Sequence, residues 1–414
     1  MVAEICWAGR QIVTITIPFQ LHRRIPLVRR PFYQRDRAIE ERDRLKDDLR
    51  GAWLQHRPAA YLAGWQRATV AAVPVVDDRA LVSRIVAAYR SACQTPLGST
   101  ASFWFNSHAD PKREIHNALM RDDPDQITRI LRDPGSSALF YGFETLVKPG
   151  MYPTVPVDFW DYQAPYDALQ CLAEALGVYR LENPENRYYG VPTAGQVTNP
   201  TADEILKDVE GRLGFVVDFP NLFVGETGLA TARGVITYRV VQALYQTRRI
   251  LDLTHGATGT GIAEIGGGLG RTAYYSWRAG LRDYTIVDLP MTAVSQAYFL
   301  GRTLGPDAVC MFGEDRPGIR LLPPAAFLGA DNKYDLVVNV DSLTEMAADT
   351  ARGYCQAIKT RAGLFLSVNH ETNPFTVREI CTDVGLRAVS RNPYWMRRGY
   401  VDEVFAGPGT SAQP

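Results

Sequence analysis

From Gly259 to the C-terminus, short β-rich runs alternate with helical ones, and this alternation restricts the fold more than any other feature of the chain. The order is GIAEI, a helix from Leu269, YTIVDL, a helix from Thr292, AVCMF, DLVVNV, a helix from Ala347, GLFLSV, a helix from Phe375, then LRAVS and YVDEVFAG. Strands joined through helices pair in parallel, with helices covering both faces of the sheet. No helical pattern separates the last two runs, so they are expected to form an antiparallel pair at the end of a seven-stranded α/β sheet.

The first strand closes on Glu264-Ile265-Gly266-Gly267-Gly268-Leu269-Gly270. Glycines permit a tight strand-to-helix turn and let a ligand approach the backbone. The spacing is G-x-G-x-G with an acid ahead of it; a dinucleotide fingerprint would need glycine at 271, where the chain has Arg271. A pyrophosphate favours a helix N-terminus, whereas S-adenosylmethionine has no phosphate and carries an ammonium that Glu264 can help hold. Asp288 ends the second strand about 20 residues on, where an acid accepts hydrogen bonds from ribose hydroxyls, and Leu289 follows it. After AVCMF, Glu314 and Asp315 stand where an adenine amino group would sit. The expected cofactor site is therefore Glu264, Gly266, Gly268, Gly270, Asp288, Leu289 and Glu314. With the terminal antiparallel pair, this predicts a Rossmann-like class I methyltransferase fold in preference to a nicotinamide oxidoreductase.

The N-terminal half has another texture. Residues 1–33 show no clear period. RDRAIEERDRLKDDLRGAWL, from Arg35 to Leu54, places Glu40 and Arg44 one helical turn apart, with Leu45, Leu49, Ala52 and Trp53 as an apolar stripe. Beyond it, Asp77, Asp123-Pro124, Pro165 and Thr201 each open a helical pattern, and Gly177 and Gly214 stand where left-handed C-caps are wanted. The expected division is a basic tail and charged arm at 1–57, a mainly helical cap at 58–222 and the methyltransferase domain at 223–414. Lys plus Arg balance Asp plus Glu at 45 each, which argues against a nucleic-acid partner. The six cysteines lack metal spacing and suit a reducing, cytoplasmic setting. No run reaches the roughly 20 apolar residues of a membrane span. Arg23, Arg24, Arg29 and Arg30, beside the apolar Ile12–Phe19 run, read as a solvated tail or as contact with an anionic membrane surface, a membrane-peripheral alternative.

DFPNLFVGETGLATARGVITYR, AEIGGGLGRTAYY, YTIVDLP and VVNVDSLTEM resemble a family of sugar O-methyltransferases, over about Leu213 to Glu371 and more weakly back to about Leu81. VGETGLATARG lies outside the generic methyltransferase core and is the more specific marker. The resemblance implies S-adenosylmethionine as cofactor and a saccharide hydroxyl as acceptor, in glycan or nucleotide-sugar biosynthesis. A phenolic or polyketide acceptor is the alternative with the same chemistry. A catalytically inactive binding module is the alternative from another class, against which the intact glycines and Asp288 argue.

Methyl transfer to a hydroxyl needs aligned reactants and a group that takes the hydroxyl proton. Strand C-terminal ends carry such groups: Asn339, Asp341, Ser342 and Glu345 after one strand, Asn369, His370 and Glu371 after the next. His370 is the first candidate base, since imidazole titrates near pH 6.5 unaided; Asp341 follows closely, with helix capping as its structural alternative, and Glu345 ranks behind. Asp341, Glu345 and Glu371 together would also permit a Mg²⁺ site, although no metal is assigned. Arg233 is expected to reach the methionine carboxylate and Tyr238 to overhang the pocket. His255 reads as a loop residue, and Trp104, Trp160, Tyr162, Tyr188 and Tyr189 as rings on which a sugar could stack. The oligomeric state is not legible.

Overall fold

The computed structural model describes residues 2–7, 11–16, 37–42, 44, 66–95, 111–121, 123–144, 146, 164–178, 200–397 and 399–408. They fall into two compact units, Met1–Ala63 and Gly64–Pro414. The first holds an antiparallel hairpin of β1 (Val2–Trp7) and β2 (Gln11–Thr16), with Val2 opposite Thr16, and a helical stretch at 37–42. The hairpin was not expected; Ile12, Val13, Thr14, Ile15 and Thr16 are all β-branched, a composition that favours strands. The arginine cluster, the stripe from Leu45 to Trp53 and the five candidate stacking aromatics lie outside the described residues.

The second unit begins with β3 (Arg67–Thr69) and the helices α1 (Arg79–Ala92), α2 (Arg113–Arg121), α3 (Pro124–Arg132), α4 (Ala164–Ala175) and α5 (Ala202–Leu213). Two starts follow their local chemistry. Asp123 accepts a hydrogen bond from Gln126 N ahead of Pro124, and Thr201 and Glu204 form a reciprocal capping box. Gly214 closes α5 at φ +80°. Helix α1 begins after Asp78, with Asp77 Oδ1 accepting from Arg79 N at 3.3 Å, while the Asp78 carboxylate caps nothing. It is buried and accepts from Arg132 on α3 and from the Tyr298 hydroxyl, at 2.6 and 2.7 Å.

The region is not wholly helical. Strands β4 (Thr227–Thr231) and β5 (Gly234–Ile236) join β3 in a three-stranded antiparallel sheet, so VGETGLATARG forms a hairpin. A 17-residue helix, α6 (Tyr238–Thr254), follows it. No helix was expected there, because α6 is buried around most of its circumference and shows no clean apolar stripe.

The main sheet is then built from β6 (Ile262–Ile265), α7 (Arg271–Arg278), β7 (Tyr284–Val287), α8 (Pro290–Thr303), β8 (Val309–Cys310), β9 (Ile319–Leu322), α9 (Pro324–Gly329), β10 (Tyr334–Val340), α10 (Ala348–Arg361), β11 (Ala362–His370), α11 (Val377–Val384), β12 (Arg387–Pro393) and β13 (Tyr400–Ala406). Its order is β12-β13-β11-β10-β6-β7-β9-β8. Strand β13 runs antiparallel to β11 and β12; the remaining pairs are parallel. This is the Rossmann-like class I methyltransferase sheet with one strand more than expected. AVCMF supplies only the edge strand β8, and the strand beside β7 is Ile319-Arg-Leu-Leu. Four residues between Gly318 and Pro323 were too short to read as a strand. Ala263, Ile265, Val337, Phe365 and Phe405 are fully buried in the sheet's core, each large side chain contributing about 1.5–3 kcal/mol.

Residues Gly64–Pro414, which hold the cap elements and the main sheet, form one compact unit. Close packing shows why: Gly301 on α8 seats Leu81 of α1, and a Cβ at 301 would lie 2.7 Å from Leu81 Cδ1.

Candidate active site

The C-terminal ends of β6, β7 and β10 open into one cavity of about 650 Å³, which α6 and the segment before α2 also line. That is ordinary for a small-molecule site. At its floor Gly266 (φ +74°) and Gly268 (φ +56°) turn the chain from β6 toward α7, and both line the cavity with Gly267. A Cβ at Gly266 would overlap Ser342 Oγ and lie 2.5 Å from Ser342 Cβ, so conformation and space both demand glycine. Gly270 (φ +91°) is the N-cap of α7 and does not itself line the cavity.

Two acids flank this turn, and both line the cavity with Leu289. Glu264 is buried; burial lifts its pKa to about 7 against the hydrogen bond donated by the Tyr284 hydroxyl at 3.0 Å. Asp288 is lifted to about 6, again by burial, against hydrogen bonds from Leu289 N and Gln296 Nε2 at 2.8 Å each. Gln296 also donates to Gly268 O at 3.0 Å, so α8 ties the acid to the glycine turn. The cap supplies a cation: Lys112, 8% exposed, lies 5.0 Å from the Phe143 ring centroid, and burial pushes its pKa down to about 8 although Asp288 opposes this. Arg271 and Glu144, 3.0 Å apart and both buried, pin the cap to the start of α7.

Across the cavity stands Asp341, just beyond β10, at φ +59°. Among the described residues only His255 shares a positive φ without being glycine. Such a backbone costs about 1–3 kcal/mol and clusters at functional sites. The Tyr400 hydroxyl donates to the Asp341 carboxylate at 2.9 Å and Arg397 Nη1 donates at 3.0 Å. Asp341, Glu345, Arg397 and Tyr400 all line the cavity.

The structure thus brings Glu264, Gly266, Gly268, Asp288, Leu289, Asp341 and Glu345 to one cavity and leaves other expected residues elsewhere. His370 is not in the lining. Its Nδ1 pairs with the Thr372 hydroxyl at 2.8 Å, its Nε2 lies 3.8 Å from Asp341, and its ring packs edge-on against Tyr400. The imidazole stands behind the carboxylate. Arg233, expected at the methionine carboxylate, sits in the β4–β5 turn, engaged by Glu210 and Val217 O, and is not among the residues that line the cavity. Glu314, expected beside the adenine, is likewise not among them. It follows the edge strand β8, and Arg84 (2.7 Å) and Met311 N (2.8 Å) occupy its carboxylate. Glu371 pairs with Arg391 at 2.7 and 2.8 Å, so it does not join Asp341 and Glu345 around a cation. Among the described residues no group of three or more His, Cys, Asp or Glu side chains is placed to hold a metal ion. Tyr238 is buried and donates to Met396 O at 3.3 Å rather than overhanging the pocket.

Lys112, Gln296, Tyr400, Arg397, Arg239 and Gln242 were not foreseen. Only Gln296 carried a local signal, being a polar residue within the apolar QAYFL stretch of α8. The others belong to elements that only the fold brings to the cavity.

No family model matches this sequence, and none of the curated proteins does. Solved structures similar to it include the magnesium protoporphyrin IX methyltransferase of Synechocystis PCC 6803 with bound S-adenosylmethionine, at 11% identity, 56% of this chain, 95% of that chain and a TM-score of 0.31. The 1,6-didemethyltoxoflavin-N1-methyltransferase of Burkholderia thailandensis matches at 18% identity, 40% of this chain, 78% of that chain and a TM-score of 0.29. Among the described residues no helix is long and apolar enough to cross a membrane.

Proposed function

We propose that this protein is an S-adenosylmethionine-dependent O-methyltransferase whose acceptor is a sugar hydroxyl in a glycan or nucleotide sugar. The observation that carries the reading is one cavity joining Glu264, the Gly266–Gly268 turn and Asp288 to the Asp341–Tyr400–Arg397 cluster opposite. The residues fit the cofactor. Left-handed glycines expose backbone, and a buried Glu264 and a part-buried Asp288, both with raised pKa values, would be drawn to ionise beside a cationic ligand. Asp288, steadied by Gln296, would hold the ribose, and Glu264 would support the ammonium end. When bound, the cofactor supplies an electrophilic methyl group on a sulfonium. Asp341 would accept the hydrogen bond of the acceptor hydroxyl and take its proton as the O–CH3 bond forms and the S–CH3 bond breaks, with neutral thioether sulfur as the leaving group. Tyr400 and Arg397 hold the carboxylate in place. The saccharide acceptor rests on the resemblance of VGETGLATARG and its flanks.

Calorimetry is expected to show S-adenosylmethionine and S-adenosylhomocysteine binding and no response to NAD; tight NAD binding with neither of the others would end the assignment. Acceptors are sorted by methyl transfer onto a glycan array against small phenols, and activity on phenols alone would remove the sugar.

Affinity for S-adenosylmethionine should also depend on pH. Below their raised pKa values, Glu264 (about 7) and Asp288 (about 6) carry protons in the free protein. A bound cation favours the ionised acids, so binding expels those protons. The affinity is therefore full above about pH 7.5 and weakens as pH falls, by up to about tenfold per unit for each group that must ionise. Kd measured between about pH 5.5 and 8 should fall with rising pH. A flat profile would mean that these acids do not face the ligand's charge.

A further inference from the structure

Arg239 lies in the first turn of α6 and lines the cavity. Its only polar contact among the described residues is Nη1 donating to Gln242 Oε1 at 3.2 Å, and no described carboxylate comes within 4.0 Å of its guanidinium. Its Nε is buried without a hydrogen-bond partner. Of the other guanidiniums that line the cavity, Arg271 is paired with Glu144 and Arg397 with Asp341, each at 3.0 Å. A partly desolvated cation with no anion beside it is costly. The helix end adds to the imbalance. The first turn of α6 holds no acid, its N-cap Thr237 makes no side-chain cap, and Thr237 Oγ1 is buried and unpartnered at 7% exposure. Positive potential from the helix end and from Arg239 is thus uncompensated at one place.

Gln242 takes part in holding this group. Its Nε2 donates to the Tyr238 hydroxyl at 3.0 Å, which leaves Oε1 directed to Arg239. The Tyr238 hydroxyl donates to Met396 O at 3.3 Å, and Met396 precedes Arg397 in the chain. Through Gln242 and Tyr238, Arg239 is therefore tied to the side of the cavity that holds Arg397 and its partner Asp341.

We infer that Arg239, oriented by Gln242, forms a subsite for an anionic group, a carboxylate or a phosphate, carried by the acceptor. The inference rests on the methyltransferase reading only for which end of the cavity takes the acceptor. The substrate class becomes an acidic saccharide, such as a uronic acid or a sugar phosphate, in place of a neutral sugar.

The test uses the full chain and three probes, D-glucuronate, inorganic phosphate and D-glucose, titrated by calorimetry with and without saturating S-adenosylhomocysteine. Glucuronate and glucose share their remaining hydroxyls and differ at the carboxylate. Wild type is expected to bind at least one anion and to bind glucose at least about tenfold more weakly. Arg239→Gln should lose about 10- to 100-fold in affinity for the anion and keep its affinity for S-adenosylhomocysteine, which also reports that it is folded. Arg239→Lys, which keeps the charge without the fork, should recover part of the loss. In turnover with an acidic acceptor, the Gln variant should raise KM with little change in kcat. Three results would overturn the inference: no anion binding by wild type up to about 10 mM, equal anion binding by Arg239→Gln, or a loss confined to S-adenosylhomocysteine, which would give Arg239 to the cofactor's own carboxylate. If wild type ignores S-adenosylhomocysteine, the methyltransferase reading fails instead, and the titrations without it still decide the anion site.

Discussion

Asp341→Asn is expected to lower methyl-transfer turnover by about 10²–10⁴-fold while the Kd for S-adenosylhomocysteine stays near wild type. Asparagine keeps the shape and can still accept from Tyr400, but it cannot take a proton. The surroundings of Asp341 suit this role. Its backbone stands at φ +59°, which turns the carboxylate from the end of β10 into the cavity, and Tyr400 and Arg397 fix it from the antiparallel end of the sheet. His370→Gln should be milder, about tenfold or less, because the imidazole approaches Asp341 only to 3.8 Å and does not line the cavity. His370 is on this view a positioning residue. Single-turnover rates with a confirmed acceptor decide the matter. A severe His370→Gln defect beside a fully active Asp341→Asn would return the base to histidine.

The second large effect concerns the glycine turn. Gly266→Ala should abolish measurable cofactor binding and destabilise the protein by about 2–4 kcal/mol, seen as a lower midpoint in urea. Two costs combine. The residue sits at φ +74°, where a Cβ is disfavoured, and that Cβ would press on Ser342. Ser342 cannot easily retreat, since its hydroxyl is fixed between Asn339 Nδ2 at 2.5 Å and Ile265 O at 3.2 Å. Gly266→Ala combined with Ser342→Gly separates the costs. It should recover the steric share of stability while the left-handed strain of about 1 kcal/mol remains. Wild-type stability and cofactor affinity in Gly266→Ala alone would show that neither constraint operates.

Both predictions rest on residues visible in the sequence, and the contrast with the residues that failed is physical. The strand–helix alternation, the glycine turn, Glu264, Asp288 and the antiparallel ending were legible because each is local. They are consequences of hydrophobic period, backbone conformation and position at a strand end, and a short window of sequence carries all three. Asp341 was legible for the same reason. His370 and Glu371 follow a strand end just as Asp341 does, yet one stands behind the carboxylate and the other pairs with Arg391. Strand-end position says which residues are near the cavity, and the side chains they meet decide which of them face it. Arg233 and Glu314 lie away from the cavity lining for a related reason: Glu210 and Arg84 pair with them, 23 and 230 residues away in the chain.

What the sequence determined by itself is the sheet and the glycine turn with its two flanking acids, since these follow from patterns within a few residues. Tertiary structure alone decided that Ile319–Leu322 lies beside β7, that α6 is buried against the sheet, and that Lys112, Arg239, Arg397 and Tyr400 meet at one cavity. Those choices depend on charges and side-chain volumes brought together over long chain separations, where no local period records the partner.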